Sequence, residues 1–584
     1  MDPKVEKNET GDLKQEYASP GEKRDILDVP VEDRSHLNAV FENPLAGVSR
    51  EQLMKDVEEF CHKFDLMDHV DLMKQGALVA QSPHAYQEMT EISDEDKIAL
   101  EREKILGVTS PRFSKSMQDN LTGLIVGAPY LACAVLGCWL TEPMNRVFAR
   151  RGTIFISCLI AAIASIWEGV CNSWVNLFIA RFVLGLGIGA KSTTVPVYTA
   201  ECSPAPIRGA LVMQWQVWTA FGIMLGNIMG VAFGGLDPDL AWRLILGSTV
   251  VLPLIVCAQV YFCPESPRWL IQHGKMQKAF RSFRIVRRTD LQACRDLYYT
   301  YVGVEIERKV NKGKNLFTQF WELFSIPRNR RASWATWIVM FGQQFCGVNV
   351  IAYYSTTIFQ QGGYGRNSAL LASMGTGILN WVFALPAFFT IDTFGRRNLL
   401  LTTFPFLAIT LLWTGMSFFI DPPPPGSEIS TSKARLGMIT TGMYLFEVFY
   451  SPGMGPVPFS YSAESFPMHV RDVGMSFATA TTWCFNFILS FTWPRLVSAF
   501  TNQGAFGWYA GWCVVLWVLV LLFMPETKAL TLEELDQVFG VPTWKHSRYQ
   551  LRNAVWHFKR YVLFQKNLEP LPPFYEGADK LMES

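Results

Sequence analysis

Charged residues are scarce in this sequence: Asp, Glu, Lys and Arg make up 18% of its 584 residues, whereas 49% are hydrophobic and 14% aromatic. A soluble protein of this length exposes too much surface to water for so few charges. The formal net charge of +1 gives no indication of a nucleic-acid partner, and none is predicted. The composition therefore excludes a soluble multidomain protein and indicates an integral membrane protein.

The sequence also lacks the short motifs of common enzymes and metal sites. It contains no HExxH, no GxSxG and no cluster of histidine ligands. Most of the twelve cysteines lie inside apolar runs and none shows CxxC spacing, so we interpret them as small buried hydrophobic residues. The amino terminus is charged from Asp2 to Arg34, and we expect no cleavable signal peptide. We therefore predict no enzymatic activity and no cofactor or metal.

Long apolar stretches are the main feature that is present. A helix needs about 20 mostly apolar residues to cross the hydrocarbon core of a bilayer. This criterion predicts an all-α membrane protein with eleven spans, five before a central polar loop and six after it. The predicted spans are 121–141, 153–172, 175–198, 209–233, 243–263, 332–359, 368–391, 398–420, 436–460, 474–494 and 507–524.

The spans divide the chain into a polar extension of cytosolic type, two membrane bundles, a central loop with helices, and a tail. In the extension, Leu53, Val57, Phe60 and Phe64 recur at helical spacing, which predicts one amphipathic helix over Ser49–Met73. We interpret this helix as packing on the body of the protein, with docking of a partner as the alternative. The predicted regions are 1–118, 119–263, 264–331, 332–524 and 525–584.

Basic residues collect in alternate loops, which predicts the orientation of the chain. Arg146, Arg150 and Arg151 share one loop, Arg396 and Arg397 another, and the central loop is rich in Lys and Arg. Cytoplasmic loops carry such an excess of positive charge. We therefore expect the central loop and the tail after residue 525 to be cytoplasmic, in a protein of the plasma membrane.

Three landmarks occur twice in the same order. Arg150-Arg151 matches Arg396-Arg397, Glu201-x-x-Pro-x-x-x-Arg208 matches Glu464-x-x-Pro-x-x-x-Arg471, and Pro264-Glu265 matches Pro525-Glu526. Their offsets are nearly constant, at about 246 to 263 residues. The repeat predicts two similar membrane halves, an architecture in which transporters bind substrate near the middle of the membrane between the halves.

These motifs resemble those of the sugar porter family of the major facilitator superfamily. The resemblance covers nearly all of residues 121–535, and in combination the motifs are specific, although Ala529 stands where the family usually has Gly. It implies two pseudo-symmetric bundles that carry a small neutral sugar or polyol by alternating access, in a monomer. The sequences that carry it are PVYxxExxPxxxRG at 196–209, PESPRWL at 264–270, DxxGRR at 392–397 and PETK at 525–528.

Arginines and carboxylates of these motifs fall at the predicted cytoplasmic ends of the helices. A guanidinium can hold a carboxylate through two hydrogen bonds, and a network that forms in only one conformation can bias a two-state equilibrium. We predict an intracellular gate, with simple anchoring of topology by positive charge as the alternative. The predicted gate residues are Arg150, Arg151, Glu201, Arg208, Glu265, Arg268, Asp392, Arg396, Arg397, Glu464, Arg471 and Glu526.

A neutral polyhydroxylated substrate needs amide side chains, which both donate and accept hydrogen bonds, and aromatic faces for its C–H surface. Gln343, Gln344 and Asn349 lie around Gly342 and Gly347, where glycine can loosen a helix. Hydrogen bonding between helices is the alternative for any single amide. The family resemblance places sugar-binding groups at Gln216, Gln343, Gln344, Asn349, Asn380, Trp483 and Asn486, and Phe459 replaces a family tryptophan.

Other intramembrane residues carry weaker predictions. Gly222, Gly226 and Gly230 form a small-residue stripe that predicts close helix packing. Ionisable groups within spans mark functional positions by default, and the sequence has four of them. These are Glu168, Arg181, Lys191 and Glu447.

The resemblance also exposes a difference, because the family has twelve spans and this chain shows eleven. Residues 101–120 are too polar to cross a bilayer, so we expect the first family helix to be missing from this form. In proton-coupled relatives that helix usually carries the acidic group, so the sequence leaves proton symport open. A sugar sensor that does not transport, and an inactive truncated form, remain the alternatives to a transporter.

Overall fold

The computed structural model describes residues 49–63, 67, 70–81, 115–203, 208–421, 432–528 and 532–565. The chain divides into two units, Met1–Lys104 and Ile105–Ser584, and each is described by itself. The regular structure in the described ranges is helical throughout and includes no β-strand. The predicted all-α class is confirmed.

The described residues of the first unit include two helices in the region where the sequence predicted an amphipathic helix. Helix α1 (Arg50–Lys63) begins after Ser49, whose hydroxyl accepts a hydrogen bond from the Gln52 amide at 3.3 Å, as expected for an N-cap. Helix α2 (Val70–Gln81) follows. Residues 64–66 and 68–69, which include the predicted Phe64, lie outside the described residues, so a single helix over 49–73 stays a prediction.

The described part of the first membrane half contains six helices, and the first four of them have 18 to 30 residues. The hydroxyl of Ser173 accepts a hydrogen bond from the Asn176 amide at 3.2 Å and caps the third of them. A π-helical turn, Cys133–Gly137, continues the first. The helices are α3 (Lys115–Ala132), α4 (Thr141–Val170), α5 (Trp174–Cys202), α6 (Arg208–Phe233), α7 (Pro238–Ser248) and α8 (Val251–Gln259).

Four helices form the central region, and the second half and tail follow. In the tail, Phe539 is buried and its carbonyl accepts a hydrogen bond from Arg331 at 2.5 Å. The central helices are α9 (Pro267–Gln272), α10 (Met276–Val286), α11 (Asp290–Val310) and α12 (Leu316–Ser325). The remaining helices are α13 (Pro327–Phe345), α14 (Val348–Gly362), α15 (Arg366–Ala384), α16 (Ala387–Phe394), α17 (Arg396–Ser417), α18 (Lys433–Tyr450), α19 (Val457–Ser465), α20 (Arg471–Phe523), α21 (Leu532–Gly540) and α22 (Thr543–His557).

Within the described residues, eight helical segments are long and apolar enough to cross a membrane, or nine if the bent pair α15–α16 counts as one span. All eleven predicted spans fall on helices, and two of them share α20, whose 53 residues would measure about 80 Å if straight. Thr501, with φ of 61°, divides α20 between these two spans. Helix α18 is not among the eight, because it carries Lys433, Arg435 and Glu447.

The two halves meet along close crossings of helices. Gly377 of α15 lies against the backbone of α6, where an added Cβ would be 2.9 Å from the Cα of Met224, so only glycine fits. The predicted packing stripe of α6 was wrong. A Cβ on Gly222 or Gly226 would meet no atom within 4 Å, and one on Gly230 only Leu370 at 3.8 Å. Spacing indicates which residues share a helix face but does not indicate what lies opposite them.

Candidate functional site

Two helices of the second half are broken within the membrane region, side by side. Helix α13 ends at Phe345 and α14 begins at Val348, with Gly347 between them at φ of 94°. Helix α18 ends at Tyr450, and a turn over 451–456 precedes α19. The amide of Gln343 donates a hydrogen bond to the Gly455 carbonyl at 3.3 Å and joins the two breaks. Broken helices expose backbone groups that a substrate can use.

Three of the predicted amides form a chain at the first break. The Gln344 amide donates to Gln343 Oε1 at 3.5 Å, and Asn349 Nδ2 donates to Gln344 Oε1. Gln216 comes to the same place from the first half, since a Cβ built on Gly455 would lie 3.0 Å from Gln216 Nε2. The structure therefore brings amides from both halves to one point, Gly455.

The predicted Asn380 and Phe459 border this cluster. Asn380 Oδ1 accepts a hydrogen bond from the Ser451 hydroxyl at 3.2 Å, and Ser451 is the first residue after α18. Phe459 packs against Trp215 of the first half, with ring centroids 5.9 Å apart. Both side chains are buried, so neither faces lipid.

Trp483 and Asn486 of α20 lie in a second, aromatic group. Tyr130 of α3 stacks on Trp483 and on Tyr353, with centroid distances of 5.4 Å in both pairs. The Tyr353 hydroxyl accepts a hydrogen bond from Asn486 Nδ2 at 3.0 Å. The indole of Trp483 donates to the Ser192 hydroxyl at 3.2 Å, across the two halves.

Tyr130, Ser192 and Ser451 also belong to these groups, and no pattern in the sequence indicated them. Each lies in an apolar span, and its place in the group is apparent only from the side chain that it contacts in the structure. Tyr353 lies four residues after Asn349 on α14, so both side chains project from one face of that helix. This shared face links the amide group to the aromatic group.

The arginine–carboxylate motifs lie together at one end of the bundles, which we call the basic face and define by Arg150 and Arg396. In the first half, Arg150 donates to both oxygens of Glu201, at 3.2 and 3.0 Å. Glu201 also accepts from the Ser266 hydroxyl at 2.6 Å. Glu265 accepts from the backbone amide of Arg151 at 3.4 Å.

The second half repeats this arrangement. Arg396 donates to Glu464 at 2.8 Å, and Glu464 accepts from the Thr527 hydroxyl at 2.8 Å. Glu526 accepts from the backbone amides of Arg396 and Arg397 at 2.9 and 3.0 Å. The repeat extends to the backbone, because the residues before the arginines, Ala149 and Gly395, have φ of 62° and 87°. The internal repeat of the sequence is therefore a repeat of hydrogen bonds.

The halves differ in the second carboxylate that each arginine binds. Arg396 pairs with Asp392 of its own half at 2.9 Å, whereas Arg150 pairs with Asp472 of the opposite half at 3.3 Å. Asp472 was not among the predicted gate residues. The signal available was an acidic residue beside Arg471 at the start of a span. Arg471 itself donates to the Phe466 carbonyl at 3.4 Å.

The remaining predicted gate residues have other positions. Arg268 pairs with Glu307 of the central helix α11 at 2.8 Å, with both side chains largely buried. Burial, the largest effect, raises the pKa of Glu307, and the charge of Arg268 opposes this. The side chain of Arg208 lies outside the described residues. Arg268 thus ties α9 to α11, and its charge also acts on Asp472 of the opposite half.

Two carboxyl groups are buried among the spans without hydrogen bonds to one of their oxygens. Glu168 of α4 is 2% exposed and its Oε1 has no partner, with Arg181 of α5 as the charge that acts on it. Glu447 of α18 is also 2% exposed, and its Oε2 has no partner. The other predicted ionisable residue, Lys191, is half-buried in α5.

Comparison with known proteins identifies the class of protein in which this arrangement occurs. Residues 71–539 match the family described as sugar (and other) transporter. The chain is 30% identical over 422 residues to a probable polyol transporter 3 of Arabidopsis thaliana, covering 70% of this chain and 82% of that protein. It is 31% identical over 441 residues to a myo-inositol transporter of Gibberella moniliformis, covering 73% and 75%.

The fold is also similar to a solved transporter. The proton:xylose symporter XylE bound to a bromodeoxyglucose superposes with a TM-score of 0.64 at 25% identity, covering 75% of this chain and 93% of that one. An inward-open structure of XylE from E. coli gives a TM-score of 0.58 at 25% identity.

Two pseudo-symmetric helical halves around buried amides define a membrane transporter of the major facilitator type. The chain belongs to the sugar transporter family. The predicted family, fold and sugar- or polyol-transport class are confirmed.

Proposed function

We propose that this chain carries an uncharged polyol across the membrane by alternating access, at a site between the two halves. The observation that carries the proposal is the convergence on Gly455 of Gln216 from the first half and Gln343 from the second. A substrate held by both groups is coupled to the relative movement of the halves, as rocking around a central site requires.

The chemistry of the site favours a polyol. Each hydroxyl of a polyol can both donate and accept hydrogen bonds, and so can each side-chain amide of the chain Gln343–Gln344–Asn349. Phe459 offers a ring face without a donor, and Trp483 supplies a second aromatic face. The relatives compared above, a polyol transporter and a myo-inositol transporter, support the same substrate class.

We propose that the basic face is the cytoplasmic gate, and that the protein acts as a monomer in the plasma membrane. Its excess of arginine supports this orientation, with the central helices and the tail on the same side. The proposal is supported by Arg150, which bridges Glu201 of its own half and Asp472 of the other. A contact between the halves at this face would favour its closed state. Opening of the face requires the Asp472 contact to separate.

Uptake of labelled myo-inositol, sorbitol, xylose and glucose by cells without their own transporters tests the proposal. We expect saturable uptake of at least one polyol and its loss by more than tenfold in Gln343→Ala, because the truncation removes the donor to Gly455. Gln361→Ala is the matched control, since this amide is exposed at the end of α14.

Surface expression and thermal stability of both variants are measured in parallel. Equal uptake by Gln343→Ala and Gln361→Ala, at equal expression, would show that the Gln343 amide is not part of the site. Polyol-dependent stabilisation of the purified chain without any uptake would favour the sensor over the transporter.

A further inference from the structure

Glu447 is a carboxyl group placed beside the proposed substrate site but not used by it. It lies four residues before Ser451, so the two side chains share one face of α18. The Ser451 hydroxyl donates to the Glu447 backbone carbonyl at 2.7 Å and to Asn380 at 3.2 Å. Glu447 is therefore one helical turn from a contact of the site, at the end of α18 where the helix breaks.

The groups around the Glu447 carboxyl are uncharged. The titratable groups that feel its charge are the thiol of Cys346, at the break between α13 and α14, and the phenol of Tyr450 on its own helix. Helices α14, α15 and α17 also pack against α18. In the described part of the chain, none of these helices places a Lys or Arg in an ion pair with Glu447.

The cations of α18 itself lie too far away to neutralise the group. Arg435 precedes Glu447 by twelve residues, which is about 18 Å along a helix. Its guanidinium donates to the carbonyls of Gly362 and Phe418, both at 2.8 Å. A buried carboxylate with neither a cation nor a donor for its Oε2 is strongly unfavourable, so this environment holds Glu447 as the neutral acid.

We propose that Glu447 is the proton-carrying group of this transporter, which takes up one proton when its surroundings are open to the acidic side and releases it on the other side. The inference rests on the proposed function, because a proton carrier needs a transport cycle. When the site opens to one side of the membrane, the breaks at Gly347 and 451–456 are the places where water would reach the carboxyl. Solvation there favours the anion, and closure around the site favours the acid. The co-transported species is a proton, and no bond of the polyol changes.

The competing assignment is Glu168. Its carboxyl is as deeply buried, but the charge of Arg181 acts on it and favours its anion in every state of a cycle in which the two residues stay together. Glu447 has no such cation, so its protonation depends more strongly on hydration. This difference favours Glu447 over Glu168 as the group whose proton affinity changes when the site opens and closes.

The experiment uses the purified full-length chain in liposomes that contain a pH-sensitive dye. Counterflow of labelled myo-inositol or sorbitol at equal pH measures the carrier cycle alone. Accumulation under an inward proton gradient of one pH unit measures coupling, and one proton per substrate permits about tenfold accumulation. We expect Glu447→Gln to accumulate no substrate above the external concentration, and polyol addition to cause no change in dye signal.

Controls separate the possible failures. Glu305→Gln, an acid of the exposed Arg308 pair in the central region, should accumulate substrate as the wild type does. If the wild type shows no counterflow of any polyol, the proposed function fails. If it shows counterflow without coupling to protons, only the present inference fails.

Two further variants complete the test. Coupling that persists in Glu447→Gln, or that is lost in Glu168→Gln alone, overturns the assignment. Should Glu447→Gln not fold, Glu447→Asp retains the acid at a shorter reach. A shift in the pH of half-maximal accumulation in this variant supports the proposal, and an unchanged profile overturns it.

Discussion

The contact between Arg150 and Asp472 predicts how the two halves respond to a single substitution. Asp472→Asn removes one charge from a 3.3 Å ion pair whose aspartate is 48% exposed, and Arg150 keeps its two hydrogen bonds to Glu201. A partly exposed pair contributes about 0.2–1 kcal/mol. The closed state of the basic face should therefore lose up to about 1 kcal/mol, which is roughly a fivefold shift toward the open state.

Arg150→Ala should destabilise the protein more than Asp472→Asn does. It breaks both contacts and leaves Glu201 buried without its guanidinium, a type of change that destabilises by about 3–5 kcal/mol. Asp290→Asn is the matched control, because Asp290 forms an exposed pair with Arg284 of the central region and does not bridge the halves.

The distance between the halves can be measured directly by pulsed electron paramagnetic resonance. Spin labels on cysteines at Val147 and Phe394, exposed positions in the corresponding motifs of the two halves, report opening of the basic face. The exposed cysteines Cys263, Cys294 and Cys484 are first replaced by serine. Distance distributions that are identical in the wild type, Asp472→Asn and Arg150→Ala would refute the bridge as a gate.

Two other predictions concern the basic face. Gly395→Ala should lower the free energy of unfolding by about 2 kcal/mol, because φ is 87° there and a Cβ would lie 2.6 Å from Glu526 Oε2. The reverse change, Ala149→Gly, should be neutral or stabilising. Thermal unfolding in detergent measures both, and an unchanged stability of Gly395→Ala would contradict the backbone strain. Burial and the charge of Arg397 lower the pKa of His546 to about 4. Docking of the tail should therefore weaken as the pH falls from about 6.5 to 4, by about 3 kcal/mol in total, because the released tail binds the proton first. Hydrogen exchange over 543–557 measures this, and His546→Gln should remove the pH dependence.

Much of the candidate site could be inferred from residue type and order. Gln343, Gln344 and Asn349 stand close in sequence around Gly347, so a local break brings their side chains together whatever the rest of the chain does. The second break, over 451–456, was not predicted, and 436–460 was expected to be one continuous span. Apolar composition indicates that a segment lies in the membrane. It does not indicate where the backbone hydrogen bonds depart from the helical pattern and the helix breaks.

The gate residues can likewise be divided into those that the sequence predicted and those that only the structure revealed. The repeated motifs predicted the arginines and carboxylates of the gate without assigning their partners. The structure pairs Arg150 with Glu201 and Arg396 with Glu464 in the same way in each half. The pair between Arg150 and Asp472 joins residues 322 positions apart and belongs to one half only, so no internal repeat could indicate it. Which carboxylate reaches across depends on how the halves are placed against each other.

By itself, the sequence determined the membrane location of the chain, its two repeated halves and its family. Hydrophobic length, charge in loops and ordered motifs are local properties that need no coordinates. Only the tertiary structure decided which polar groups are satisfied within the membrane. It left Glu447 Oε2 without a hydrogen-bond partner, brought Gln216 to Gly455 and left open space where a Cβ on Gly222 or Gly226 would lie. The physical reason is that burial and pairing are relations between distant segments, and they exist only once those segments have packed.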